Sequence, residues 1–85
     1  MNKQYHLYIK PSCSFCKEAL KLLDEHGLQY TVATVHKDEE LLNEVKKKYD
    51  WKTVPIILEF SQVEGVRFVG GYSDLYKHLG GNLED

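Results

Sequence analysis

The chain has 85 residues, 42% of them hydrophobic, with 11 Lys and Arg against 13 Asp and Glu for a formal net charge of -2. That length predicts one domain spanning residues 1–85, with a small core, and the slight negative charge excludes a general nucleic-acid binder. No apolar run approaches membrane-spanning length, and Met1-Asn2-Lys3-Gln4 opens no signal-peptide core, so a cytoplasmic monomer without membrane or nucleic-acid partners is expected.

In chain order, Tyr5, Leu7 and Ile9 alternate with His6, Tyr8 and Lys10, which predicts a first strand over residues 5–9. Pro11 and Ser12 break it. A helix is expected over residues 14–26, because Cys16, Ala19, Leu20 and Leu23 form an i, i+3, i+4, i+7 stripe and Gly27 is a good stop. Residues 29–35 are rich in β-branched side chains and predict a second strand. Asp38 is placed to cap a second helix that buries Leu41, Leu42, Val45 and Tyr49. Asp38, Glu39 and Glu40 at its start and Lys46-Lys47-Lys48 at its end each complement the helix dipole, so the lysine run reads as a helix end. Thr53-Val54-Pro55 introduces the apolar run Ile56-Ile57-Leu58, and residues 61–65 connect it as a hairpin to a strand over residues 66–69. Gly70-Gly71 ends that strand. Ser73 or Asp74 is then placed to cap a short last helix carrying Leu75 and Leu79, stopped by Gly80-Gly81. The order β-α-β-α-β-β-α predicts an α/β fold with a four-stranded mixed sheet and three helices. Its βαβ half is expected to pair in parallel and its hairpin antiparallel.

The chemistry rests on Cys13-Ser14-Phe15-Cys16, which holds the only cysteines. At the first turn of a helix, residues i and i+3 share a face about 5–6 Å apart. Two cysteines at that separation can close a disulfide and reopen it with little backbone movement. A dithiol redox site is therefore the preferred reading. A structural bridge closing so small a loop would stabilise weakly. A zinc site needs two further ligands, and His6, His26, His36 and His78 form no His-x3–5-His pair.

Three signals occur in order: Cys13-Ser14-Phe15-Cys16, Thr53-Val54-Pro55, and Gly70-Gly71-Tyr72-Ser73-Asp74, with Lys10 shortly before the first cysteine. Through them the chain resembles the glutaredoxin family over nearly its whole length. The resemblance implies a thioredoxin fold and a glutathione-dependent thiol–disulfide oxidoreductase that reduces protein disulfides and glutathione mixed disulfides. It makes Cys13 the nucleophile and Cys16 the resolving thiol. Physical chemistry agrees, since unpaired N–H groups at the helix start favour a thiolate on Cys13, whereas Cys16 lies further in on the apolar stripe. The resemblance also implies a cis peptide bond before Pro55, with Val54 offering its backbone to an extended thiol substrate. Thr53 precedes it in the same motif. Gly71, Ser73 and Asp74 are implied to receive the γ-glutamyl end of glutathione. Lys10 and Lys52 are expected to add positive charge near Cys13. Phe15 is either an apolar wall of the cleft or a core residue, and Tyr72 is expected to pack.

Two other activities stand beside this reading. One is a thioredoxin-like electron donor that does not use glutathione, of the kind that serves ribonucleotide reductase. The other follows from Ser14, which occupies the position where the commonest motif of the family has proline. Relatives with serine there include binders of a [2Fe–2S] cluster held between two protomers by the first cysteine and glutathione. Two cysteines per chain cannot supply four thiolates without such outside help.

Overall fold

The computed structural model describes residues 3–35 and 40–80. Asp38 and Glu39, the expected cap and first-turn acids of the second helix, lie outside the described residues, as does Gly81. The elements are β1 (Lys3–Ile9), α1 (Ser14–Glu25), β2 (Gln29–Thr34), α2 (Glu40–Tyr49), β3 (Ile56–Ser61), β4 (Gly65–Gly70) and α3 (Tyr72–His78). The strands form one sheet in the order β2-β1-β3-β4, with β1 parallel to β2 and antiparallel to β3, and β3 antiparallel to β4. The expected element order and the mixed sheet are both found.

The alternation in β1 divides its side chains between two cores. Tyr5 and Leu7 pack with Ala19, Leu22 and Leu23 of α1, Ile57 of β3 and Leu75 of α3. On the other face, Tyr8 joins a second cluster built on Val35, Leu42, Val45 and Ile56. Helices thus cover both faces, α1 and α3 on one and α2 on the other. Leu7, Leu23, Leu42 and Leu75 are almost wholly buried, each contributing about 1.5–3 kcal/mol of apolar burial.

One expectation is corrected here. Leu41 was expected on the buried side of α2, yet it is 43% exposed. Leu42, Val45 and Tyr49 follow one helical face, and Leu41 lies about 100° around the helix from Leu42. The third strand carries the apolar run on through Glu59 and Phe60 to Ser61, where the hairpin connection was expected to begin.

Glu59 is the one buried charged residue among the described residues. Tyr5 donates its hydroxyl to the Glu59 carboxylate at 2.6 Å, His78 Nε2 lies 2.5 Å from the same oxygen, and Lys3 Nζ lies at 3.8 Å. Burial pushes the Glu59 carboxyl up, but the hydrogen bonds from Tyr5 and His78 outweigh it and hold the group below its ordinary value. Burial and the neighbouring carboxylate push the Tyr5 phenol far up.

At the end of α2, Trp51 N–H donates to Lys46 O at 2.9 Å and Asp50 N–H to Lys47 O at 3.3 Å. Asp50 holds φ 52°, the left-handed conformation that closes such a helix end, here without glycine. No described helix is long and apolar enough to cross a membrane.

Candidate functional site

The C-terminal end of β1 delivers the chain to Cys13, which caps α1 in an extended conformation with φ -97° and ψ 115°. Its sulfur takes the place usually filled by a serine or aspartate oxygen. The Cys16 backbone N–H donates to Cys13 Sγ at 3.1 Å, satisfying one of the free donors of the first turn. Cys13 N–H in turn donates to Lys10 O at 3.4 Å. Cys13 and Cys16 are joined as a disulfide with their Cα atoms 5.2 Å apart. Their surroundings differ. Cys13 is partly exposed, while Cys16 is 1% exposed within the α1 stripe.

Cys13 Sγ lies 3.8 Å from the Val54 carbonyl oxygen, across a gap of 41 residues in sequence. The Val54–Pro55 peptide bond is cis, as the resemblance implies. Beside it opens a cleft of about 230 Å³ lined by Phe15, Trp51, Thr53, Val54, Pro55, Gly71, Tyr72, Ser73 and Asp74. Seven of the residues singled out from the sequence meet there: Phe15, Thr53, Val54, Pro55, Gly71, Ser73 and Asp74. Lys10 and Lys52 do not line it. Lys10 is half-buried, Lys52 is exposed, and neither makes an ion pair among the described residues.

Phe15 is 61% exposed, with its ring stacked 6.2 Å from that of Tyr72 at an interplanar angle of 28°. It forms the wall of the cleft mouth, so the core alternative is set aside. Tyr72 packs against the α1–α3 core as expected, and it also faces the cleft.

The start of α3 differs from expectation. Neither Ser73 nor Asp74 is the cap; Gly71 is. Asp74 sits a turn further in and reaches back, its carboxylate accepting the Gly71 N–H at 3.0 Å. Of the two glycines before the helix, Gly70 has the stricter requirement. Its φ is +124°, and a Cβ there would come within 2.6 Å of Asp74 Oδ2. A Cβ on Gly71 would meet only ordinary contacts, 3.6 Å from Trp51 Cζ2.

Trp51 is a cleft residue that the sequence reading missed. The available signal was its place just ahead of Lys52-Thr53-Val54-Pro55, on the segment that had to reach Cys13. Among the described residues, no group of three or more His, Cys, Asp or Glu side chains converges as a metal site would require.

What the site can do follows from these positions. A partly exposed sulfur at a helix start can attack another sulfur, and a buried sulfur one turn away can then close on it. That cycle moves two electrons between this chain and a thiol partner, which is thiol–disulfide oxidoreductase chemistry.

Comparison with known proteins agrees in family and fold. The sequence profile described as Glutaredoxin matches residues 6–59. No curated protein matches the chain. Among solved structures, the fold is similar to glutaredoxin 1 from Francisella tularensis, with a TM-score of 0.69 and 15% identity over 91% of this chain and 92% of that one. It is similar to a glutaredoxin from Brucella melitensis, with a TM-score of 0.65 and 24% identity over 91% of this chain and 80% of that one. It is also similar to a thioredoxin from Thermus thermophilus, with a TM-score of 0.52 and 14% identity over 92% of this chain and 71% of that one.

Proposed function

As this chain belongs to the glutaredoxin family, we propose that it is a thiol–disulfide oxidoreductase that draws its electrons from glutathione. The observation that carries the proposal is the seating of Cys13 Sγ 3.8 Å from the Val54 carbonyl, at a cleft that also gathers Thr53, Pro55, Gly71, Ser73 and Asp74. That arrangement suits a short thiol peptide. Its cysteine lies at Cys13, its backbone runs along Val54, and a charged amino-acid end meets Ser73 and Asp74. Asp74 supplies a carboxylate for an ammonium group, and Ser73 supplies a hydroxyl for a carboxylate.

The chemistry has two routes. In the first, the Cys13 thiolate attacks the glutathione sulfur of a protein–glutathione mixed disulfide. A Cys13–glutathione disulfide forms, and the protein leaves as a thiolate that takes up a proton. A second glutathione thiolate attacks the adduct, regenerates Cys13 and leaves as glutathione disulfide. In the second route, Cys13 attacks a protein disulfide and Cys16 attacks the resulting mixed disulfide. This releases the protein as a dithiol and leaves the Cys13–Cys16 disulfide, the form seen here. Two glutathione molecules then reduce it and leave as glutathione disulfide. In each step one S–S bond forms as another breaks, and the leaving sulfur carries off the electron pair.

The test is a glutathione-mixed-disulfide substrate assayed with glutathione and glutathione reductase. The expected result is turnover that saturates in the mixed disulfide and disappears in Cys13→Ser. Reduction by thioredoxin reductase, with none by glutathione, would replace this reading with the glutathione-independent electron donor.

A further inference from the structure

We infer that Trp51 is a substrate-binding residue whose indole N–H donates a hydrogen bond to an acyl oxygen of the thiol peptide in the cleft. The inference rests on the cleft being where a thiol peptide lies beside Cys13, and it does not require that peptide to be glutathione.

Three independent observations converge on this side chain. First, its nitrogen is in an unusual state for a packed tryptophan. Nε1 is buried, and it finds no hydrogen-bond acceptor among the described residues. The indole N–H is a donor only, and a buried donor left unpaired costs about 1–3 kcal/mol, so packed tryptophans ordinarily find a partner.

Second, the ring stands at the ligand site. Trp51 lines the cleft with Val54, Pro55 and Gly71. Its Cζ2, the ring carbon beside the nitrogen-bearing edge, would lie 3.6 Å from a Cβ placed on Gly71, and the Pro55 carbonyl oxygen would lie 3.8 Å from that same Cβ. The indole ring therefore borders the gap between the Val54–Pro55 segment and the Gly71 turn. The ring also packs edge-on with Phe68, their centroids 5.2 Å apart.

Third, the backbone is committed to this placement. Asp50 closes α2 in the left-handed conformation at φ 52°, and the Trp51 N–H is fixed to Lys46 O at 2.9 Å, which sets where the chain delivers Trp51.

An extended thiol peptide lying along Val54 carries carbonyl and carboxylate oxygens into that gap. It supplies the class of acceptor that Nε1 lacks among the described residues. Binding then recovers a hydrogen bond whose desolvation has already been met in the free protein, so the N–H favours ligands that bring an acyl oxygen over thiols that do not.

The chain contains one tryptophan, so it has one indole N–H resonance. With Cys16→Ser, Cys13 is to be trapped as a mixed disulfide with glutathione, with the peptide Ala-Cys-Gly, or with cysteamine, which has no acyl oxygen. The indole proton is expected to move downfield in both peptide adducts and to stay in place in the cysteamine adduct. In parallel, Trp51→Phe, which keeps an aromatic ring but removes the donor, is expected to raise KM for a glutathionylated peptide about five- to tenfold, or about 1–1.4 kcal/mol, with kcat within twofold. A merely structural Trp51 would lower the melting temperature and leave the KM-against-kcat split unmoved.

Equal indole shifts in all three adducts, or a KM change below twofold, would overturn the inference. If Trp51→Phe fails to fold, the resonance comparison decides alone. Failure of the glutathione reading looks different. In that case the wild-type chain would not turn over glutathione mixed disulfides, while the Ala-Cys-Gly adduct would still move the indole signal.

Discussion

Gly70→Ala tests whether the turn before α3 positions the cleft. Gly70 holds φ +124°, and an added Cβ would come within 2.6 Å of Asp74 Oδ2, 2.8 Å of its Cγ and 2.9 Å of its Cβ. The last distance matters most. Rotating the Asp74 carboxylate relieves contacts with its tip but not with its Cβ, so the first turn of α3 has to move. Two costs follow: backbone strain of about 1–3 kcal/mol, and loss of the bond from Gly71 N–H to the Asp74 carboxylate, about 1.5–3 kcal/mol. If nothing relaxes they sum to about 2.5–6 kcal/mol, a large share of the 5–15 kcal/mol typical of a domain. Urea unfolding and KM for a glutathionylated peptide, measured on one preparation, should show both a lost denaturation midpoint and weakened substrate use. Asp74→Gly removes the colliding atoms, so Gly70→Ala in that background should cost at least about 1.5 kcal/mol less than in the wild type. A Gly70→Ala variant destabilised by less than about 0.5 kcal/mol with unchanged KM would refute the steric argument.

The two cysteines should divide the work. Cys13→Ser is expected to abolish both routes, whereas Cys16→Ser keeps deglutathionylation and loses most reduction of protein disulfides; the reverse pattern would overturn the nucleophile assignment. Alkylation rate against pH should place the Cys13 thiol midpoint below the value of about 8.5 for free cysteine, because Cys13 caps α1 and accepts the Cys16 N–H at 3.1 Å. A midpoint at or above that value would remove the helix start from the explanation. Tyr5→Phe removes the 2.6 Å hydroxyl bond to Glu59 and is expected to cost about 1.5–3 kcal/mol in urea unfolding. Because folding holds the Glu59 carboxyl below its ordinary value, its stabilisation is complete above the unfolded value of about 4.3 and is lost as pH falls through the folded one. Melting temperature against pH should therefore drop on the acid side, with a flatter limb in Glu59→Gln; identical limbs would exclude Glu59 as the titrating group.

Most of the fold was legible because its signals are local. The alternation of Tyr5, Leu7 and Ile9 and the stripe of Cys16, Ala19 and Leu23 each bury one face of one element, and those faces are the ones buried. The cysteine pair was legible for the same reason, since a spacing of three in a first helical turn fixes the geometry. The start of α3 was less so. Serine, aspartate and glycine are all good caps, and the sequence does not mark that Gly71 takes the place while Asp74 reaches back to accept its N–H.

The parts that stayed hidden are those whose partners are remote in sequence. Nothing in the sequence marks Glu59, after Ile56-Ile57-Leu58, as a buried residue, because a buried carboxylate without partners would cost several kcal/mol. Its partners are Tyr5 on β1, 54 residues away, and His78 on α3, 19 residues away. Neither advertises a carboxylate, and only the β1–β3 register, which sets Tyr5 opposite Glu59, brings the first of them into reach. Trp51 shows the same logic inverted. A lone tryptophan near a helix end reads as packing, and its unpaired nitrogen becomes visible only when the Val54–Pro55 segment and the Gly71 turn close around it. Polar groups satisfied, or left unsatisfied, by tertiary contacts are therefore where a sequence of this size says least and its structure says most. Glu59 has its donors within the chain and so bears on stability; Trp51 lacks an acceptor among the described residues and borders a cleft, which is why the inference assigns it to ligand binding.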